Sequence, residues 1–184
     1  MSKKTFISQF LQRGNKVGAV APSSRFLAAK MLKNIPFEDC KTIVEFGPGT
    51  GAFTGNIQER MPEGCKLLII ELNEAFYSDL LNRFSNENTE VIQGSATEIS
   101  EILSARNIKY ADCIISSLPL AIFDESLRDH ILSSAHRSLA PGGHFVQFQY
   151  SLQSKKAIQH HFSDLTLDFT PLNFPPAFVY RCKK

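Results

Sequence analysis

Three glycines, Gly47, Gly49 and Gly51, follow the apolar run Ile43-Val44-Glu45-Phe46 and are interleaved with Pro48 and Thr50. Glycines at such spacing let a chain turn sharply and bring backbone N–H groups against a ligand where a side chain would collide. A dinucleotide fingerprint, G-x-G-x-x-G, would put its third glycine at position 52, but that residue is Ala52 and the glycine falls at 51. This spacing favours S-adenosylmethionine over NAD. A ribose also needs an acidic partner at the end of the next strand, and Glu71 closes Lys66-Leu67-Leu68-Ile69-Ile70-Glu71 twenty residues after Gly51. A glycine turn without a ligand is the competing reading, and it does not account for Glu71 at that distance. The expected donor set is Glu45, Gly47, Pro48, Gly49, Thr50, Gly51 and Glu71, joined by Ser95, Ala96 and Ser116 at the ends of later strands.

To position these residues the chain must alternate strands and helices as a doubly wound sheet does. Strands are expected at 41–46, 66–71, 90–93, 111–116, 144–150, 164–169 and 178–182, with helices at 50–60, 73–83, 124–138 and 154–162. The fold class is therefore α/β, with a seven-stranded, mostly parallel sheet. The fourth strand runs into Ser117-Leu118-Pro119-Leu120 at the carboxyl edge beside the glycine turn, where a substrate must lie.

At 184 residues and 43% hydrophobic, the chain suits one globular domain. Cys40, Cys65, Cys113 and Cys182 are scattered with no C-x-x-C pair, so reduced thiols are expected and no metal site. No apolar run approaches the roughly 20 residues that span a bilayer, so a soluble or peripheral protein is expected. The first 37 residues hold seven basic side chains and no acidic one, which leaves 13 basic against 18 acidic, a formal −5, for the rest. Such an arm suits anionic lipid, nucleic acid or a translocation receptor. Residues 3–13 have helical periodicity with Phe6, Ile7, Phe10 and Leu11 along one side and Lys3, Lys4, Arg13 and Lys16 at the ends and edges. That pattern fits an interfacial helix or an ordinary helix covering the domain. The division expected is a helical arm and active-site loop over 1–33 and a donor-binding domain over 34–184.

Two further segments carry a resemblance. Gly18-Ala19-Val20-Ala21-Pro22-Ser23-Ser24 resembles the opening loop of the bacterial phospholipid N-methyltransferases, and Asn173-Phe174-Pro175-Pro176-Ala177-Phe178-Val179 is similar to their N-x-P-P-A-x-V signature. With the glycine turn between them, the resemblance spans nearly the whole chain. It implies a class I S-adenosylmethionine-dependent methyltransferase of Rossmann-like fold, acting on the amine of a phosphatidylethanolamine-like headgroup. It also implies that the opening loop belongs to the mature fold rather than to a cleaved transit peptide. Ser95 stands where such enzymes usually present an acidic or polar side chain to adenine. Ser117-Leu118-Pro119-Leu120 also resembles the N-L-P-Y motif of the ribosomal RNA adenine dimethyltransferases, with Ser117 at the Asn position and Leu120 at the aromatic one. Those departures count against a flipped base, which needs polar edge contacts and an aromatic face. An adenine methyltransferase acting on RNA is the alternative, and a binding protein that keeps the fold without catalysis is a third reading.

Methylation of an amine requires an in-line displacement and loss of a proton from the ammonium. Tyr150, His144, Asp124 and Glu125 are the titratable candidates. Tyr150 is favoured, at the carboxyl end of its strand, where its ring could also hold the methylated ammonium; packing at a strand end is the other reading. His144 opens the same strand and belongs to the opposite edge. Asp124 and Glu125 suit the first turn of a helix. The expected substrate residues are Lys16 and Arg25, one of which would neutralise a lipid phosphate, with Ser117, Leu118, Pro119 and Asn173. The expected partners are a membrane aminolipid and an anionic membrane surface, with no nucleic acid, and the protein is expected to be a monomer at the inner, cytoplasmic face of the membrane.

Overall fold

The computed structural model describes residues 25–184. The helix expected over 3–13, Lys16 and nearly all of the Gly18–Arg25 loop lie outside the described residues. The elements are α1 (Arg25–Met31), β1 (Thr42–Phe46), α2 (Thr54–Gln58), β2 (Lys66–Glu71), α3 (Glu74–Phe84), β3 (Thr89–Gln93), α4 (Ile99–Ser104), β4 (Ala111–Ser116), α5 (Glu125–Ser138), β5 (Leu139–Gln149), α6 (Lys155–His161), β6 (Asp164–Thr170) and β7 (Ala177–Lys183).

All seven strands form one sheet in the order β3-β2-β1-β4-β5-β7-β6, with β7 antiparallel to both neighbours and the other pairings parallel. The order reverses between β1 and β4, so the crevice beyond their carboxyl ends is where a ligand belongs in such a sheet. Phe46 and Ser116 are register partners there. The Ser117 N–H donates to the Phe46 carbonyl at 2.9 Å and the Gly47 N–H to the Ile70 carbonyl at 2.9 Å, so the loops after three adjacent strands leave the sheet side by side.

Every residue of β1 is buried, as expected of a central parallel strand covered on both faces. Alternate residues enter two cores: Ile43 joins Leu27, Met31, Phe53, Ile57 and Leu80 on one side, while Val44 and Phe46 join Ile131, Leu132 and Phe145 on the other. Phe145 stacks on Phe162 of the α6–β6 connection, centroids 5.0 Å apart. The helix starts carry their own signals: Asn73 caps α3 by accepting from the N–H groups of Ala75 and Phe76, and Asp124 caps α5 by accepting from Leu127 N–H at 2.8 Å.

The strands fall where expected, within a few residues at their ends, but the helices differ in two places. A helix from Thr50 to Arg60 was expected; the chain instead turns through residue 53 and is helical only over Thr54–Gln58, because Gly49 and Gly51 sit at positive φ, outside the right-handed helical region. The short α4, together with the Ala96–Glu98 turn before it, was not anticipated, since six residues carry too little periodicity to read. β5 also begins earlier than expected, at Leu139, and Pro141-Gly142-Gly143 forms an irregularity in its pairing with β4.

Candidate functional site

The site is built where β1, β2, β4 and β5 end. Each glycine of the turn meets a different requirement. A Cβ on Gly47 would lie 2.5 Å from Leu118 Cδ2, and one on Gly51 would lie 2.5 Å from Phe84 Cε2, so these two glycines let the β4 loop and α3 close against the turn. Gly49, at φ +58°, has nothing within 4 Å of that position. Its bare side faces open space at the crevice, the place for a ligand to press against backbone. Pro48 is buried beside it and Thr50 is exposed at its rim.

Glu71 ends β2 almost fully buried and accepts from Gly49 N–H at 3.1 Å and Asn73 N–H at 2.8 Å. The carboxylate thus ties the glycine turn to the start of α3. Burial raises its pKa above the usual carboxylate range, and the N–H groups of Asn73, Gly49 and Leu72 pull it back. Glu45 is fully buried below the turn, with Oε2 accepting from the Thr54 hydroxyl at 2.8 Å and Oε1 without any hydrogen-bond partner among the described residues. Burial pushes Glu45 up to about 8, with the Thr54 hydrogen bond opposing and the nearby Glu71 charge adding to the rise. An orphaned buried oxygen, a second acid held by backbone N–H groups and an open glycine fit a ligand with a cationic group and a ribose.

Ser95 caps the Ala96–Glu98 turn: its hydroxyl accepts from Thr97 N–H at 3.3 Å while Glu98 Oε2 accepts from Ser95 N–H at 2.9 Å. The hydroxyl is therefore engaged locally, and Ala96 is buried behind it. Ser116 is fully buried, its hydroxyl 3.4 Å from Leu118 N–H, and the Ser117 hydroxyl is buried without a partner among the described residues. Leu118 and Pro119 are half-buried beside the turn, whereas Leu120 points fully into the core.

Two residues outside the expected set hold this loop. Gln147 and Gln149, buried on one face of β5, both donate to the Leu118 carbonyl, at 3.0 and 2.9 Å, and Gln149 Oε1 accepts from Ala121 N–H at 3.2 Å. Glutamines two apart in a central strand were the available signal, since buried polar side chains there need partners. On the opposite face, the Phe53, Phe148 and Tyr150 rings follow one another edge to face, with centroids 5.7 and 5.5 Å apart. This row runs from the glycine turn to Tyr150, which stands half-exposed just past β5.

Asn173 comes to Tyr150 from the β6–β7 loop. It is buried, donates to the Pro175 carbonyl at 2.7 Å and hydrogen-bonds the Tyr150 hydroxyl. Burial raises the Tyr150 pKa above that of an ordinary phenol and the Asn173 contact counteracts it, so the hydroxyl stays protonated near neutrality. Asp124 is a helix cap, and His144 lies at the opposite edge of the sheet, paired with Cys113 and Lys183. Arg25 is exposed, its guanidinium 5.1 Å from the centroid of the Phe26 ring.

Residues 43–143 match the family described as a methyltransferase domain. The chain is 32% identical over 180 residues to an ornithine lipid N-methyltransferase of Singulisphaera acidiphila, covering 97% of this chain and 94% of that protein. It is 33% identical over 87 residues to the ribosomal RNA small subunit methyltransferase A of Mycoplasma capricolum, which covers 46% of this chain and 31% of that one. Among solved structures, an O-methyltransferase from Bacillus cereus in complex with SAH superimposes with TM-score 0.71 at 12% identity, over 100% of this chain and 92% of that one. The N-methyltransferase NodS from Bradyrhizobium japonicum, in complex with S-adenosyl-L-homocysteine, does so with TM-score 0.67 at 15% identity, over 96% and 97%.

Proposed function

The chain belongs to the methyltransferase-domain family, and on that premise we propose that it transfers a methyl group from S-adenosylmethionine to the amine of a membrane aminolipid headgroup. The observation that carries this reading is that the likeness to an ornithine lipid N-methyltransferase runs almost the full length of the chain. An ornithine lipid is the first substrate to try, and phosphatidylethanolamine the second.

The donor, when bound, supplies a methyl group on a sulfonium that an amine displaces in line. Glu71 is placed to hold a ribose, Gly47, Gly49 and Gly51 to admit the ligand against backbone, and Glu45 to face positive charge from below. Ser117, Leu118 and Pro119 wall the crevice beside them, with Ser116 buried behind. Tyr150 receives the amine: its hydroxyl oxygen accepts from the headgroup N–H, and its ring face favours the alkylated ammonium. Asn173 positions that hydroxyl. Arg25 and Lys16 are the side chains proposed to meet the headgroup's anionic group, a phosphate in phosphatidylethanolamine, where Arg offers a two-pronged contact. Attachment to the inner face of the membrane as a monomer, through the basic arm ahead of residue 34, goes with this reading. Among the described residues no helix is long and apolar enough to cross a membrane.

Methylation of ribosomal RNA is the second reading, raised by the relative that matches under half of the chain. Leu120, at the aromatic position of that motif, is fully buried, so it offers no face to a flipped base. Labelled methyl donor offered with aminolipid vesicles and with RNA tests the two: label in the organic phase is expected, and label in RNA alone would replace the first reading by the second.

A further inference from the structure

The β6–β7 loop, Pro171-Leu172-Asn173-Phe174-Pro175-Pro176, carries a combination that the donor chemistry does not explain. Asn173 alone is buried, while Leu172 is 66% and Phe174 87% exposed. The three prolines have no backbone N–H, the loop has no charged side chain, and the Asn173 amide is already satisfied by Pro175 and Tyr150. Such a loop presents apolar surface with few hydrogen-bond donors to strip of water, which is what moving into a less polar medium requires.

Its position is equally specific. Gln149 pairs with Phe178 and Thr170 with Ala177, so the loop leaves the sheet beside the end of β5, at the carboxyl edge where the crevice opens. Exposed Ile122, in the loop that Gln149 holds, and Leu152, two residues past Tyr150, extend the apolar rim, and Lys155 and Lys156 follow Leu152 with no acid between. A two-chain lipid cannot bring its amine to Tyr150 from solution without exposing its acyl chains. The edge bearing Tyr150 must therefore meet the bilayer.

Resting on the aminolipid reading, we infer that Leu172 and Phe174 insert into the membrane interface and, with Ile122 and Leu152, dock the carboxyl edge on the bilayer. Asn173 lies between the two inserting side chains, so insertion sets the Tyr150–Asn173 pair at headgroup level. The depth suits an interfacial loop rather than a span.

The chain has no tryptophan, so Leu172→Trp in the full chain creates a single fluorophore at the loop tip. With vesicles of aminolipid and anionic lipid, its emission should shift to the blue and be quenched by brominated acyl chains. Tyr110→Trp, at the opposite edge just before β4, should show neither change. Leu172→Ser should weaken vesicle binding about tenfold and slow methylation of vesicle lipid, while methylation of an amine headgroup on a short, water-soluble acyl chain stays at the wild-type rate. If Leu172→Trp emission ignores vesicles that the wild type methylates, docking by this loop is overturned. It is equally overturned if Leu172→Ser lowers Tm with vesicle affinity unchanged, which would assign the face to the chain's own first 24 residues, or if it abolishes a dimer seen by light scattering, which would assign it to a second copy. Failure of the wild type to methylate any aminolipid would instead overturn the functional reading beneath the proposal.

Discussion

The Tyr150 hydroxyl, at the end of β5, is hydrogen-bonded by the side chain of Asn173, which the β6–β7 loop buries beside it. Two segments far apart in sequence thus fix one polar group at the mouth of the crevice. Replacing Tyr150 by Phe keeps the ring and removes the hydroxyl, so turnover of aminolipid should fall about ten- to a hundredfold, the worth of one hydrogen bond to a charged group, with donor affinity unchanged. Asn173→Ala should lower turnover less and leave the ring in place. Wild-type turnover in both, measured with saturating donor, would remove Tyr150 from the site.

The glycines of the turn should separate fit to a ligand from fit to the fold. Gly51→Ala drives a Cβ into Phe84 at positive φ, and the combined overpacking and backbone strain of about 2–4 kcal/mol should lower Tm by roughly 5–15 °C. Gly49→Ala meets no protein atom, so its stability cost should be limited to the strain of about 1–2 kcal/mol. Its larger effect should be on donor affinity, read by calorimetry. Equal effects of the two on donor affinity would show that open space at Gly49 has no bearing on the ligand.

Glu71 is expected to serve both fold and donor. Glu71→Gln keeps the shape and one acceptor while removing the charge, and the lost charge-assisted hydrogen bonds are worth roughly 1.5–3 kcal/mol, a tenfold or greater rise in donor Kd. Calorimetry on the folded variant decides the point, and an unchanged Kd would reassign Glu71 to holding Gly49 and Asn73 alone.

Glu45 makes stability depend on pH in a particular direction. Its folded pKa of about 8 lies above the ordinary value of 4.5, so between those pH values the folded state holds a proton that the unfolded state has lost. Its contribution is therefore fully present below about pH 4.5 and is lost as pH rises toward 8. Glu45→Gln lacks this titration, so the Tm difference between variant and wild type should move in the variant's favour by several degrees from pH 5 to pH 8.5. A difference that stays constant over that range would mean that Glu45 is ionised in the folded state throughout.

The parts legible in the sequence were those with strong local signals. The buried β1, the glycine turn and the acid closing β2 follow from composition and spacing alone, whereas the turn from Thr50 to Phe53 reads as helix in the sequence because the positive φ of Gly49 and Gly51 is a backbone state rather than a composition. Gln147 and Gln149 do not stand out in the sequence because their task, holding the Leu118 carbonyl, exists only once β4 and β5 lie side by side. Tyr150 and Asn173 were each singled out, but their hydrogen bond depends on an antiparallel strand whose return no local pattern announces. Asn173 stood out only through the resemblance, and the outward turn of Leu172 and Phe174 around it is a property of the folded loop.

The central claim is that an aminolipid nitrogen accepts the methyl group, and mass spectrometry of vesicle lipid after incubation with the purified protein and S-adenosylmethionine tests it most directly. Vesicles containing ornithine lipid or phosphatidylethanolamine should yield headgroup-methylated species whose fragments place the added methyl on the amine, with markedly less from Tyr150→Phe. Unmodified lipid from a preparation that binds the donor and methylates RNA would contradict the account.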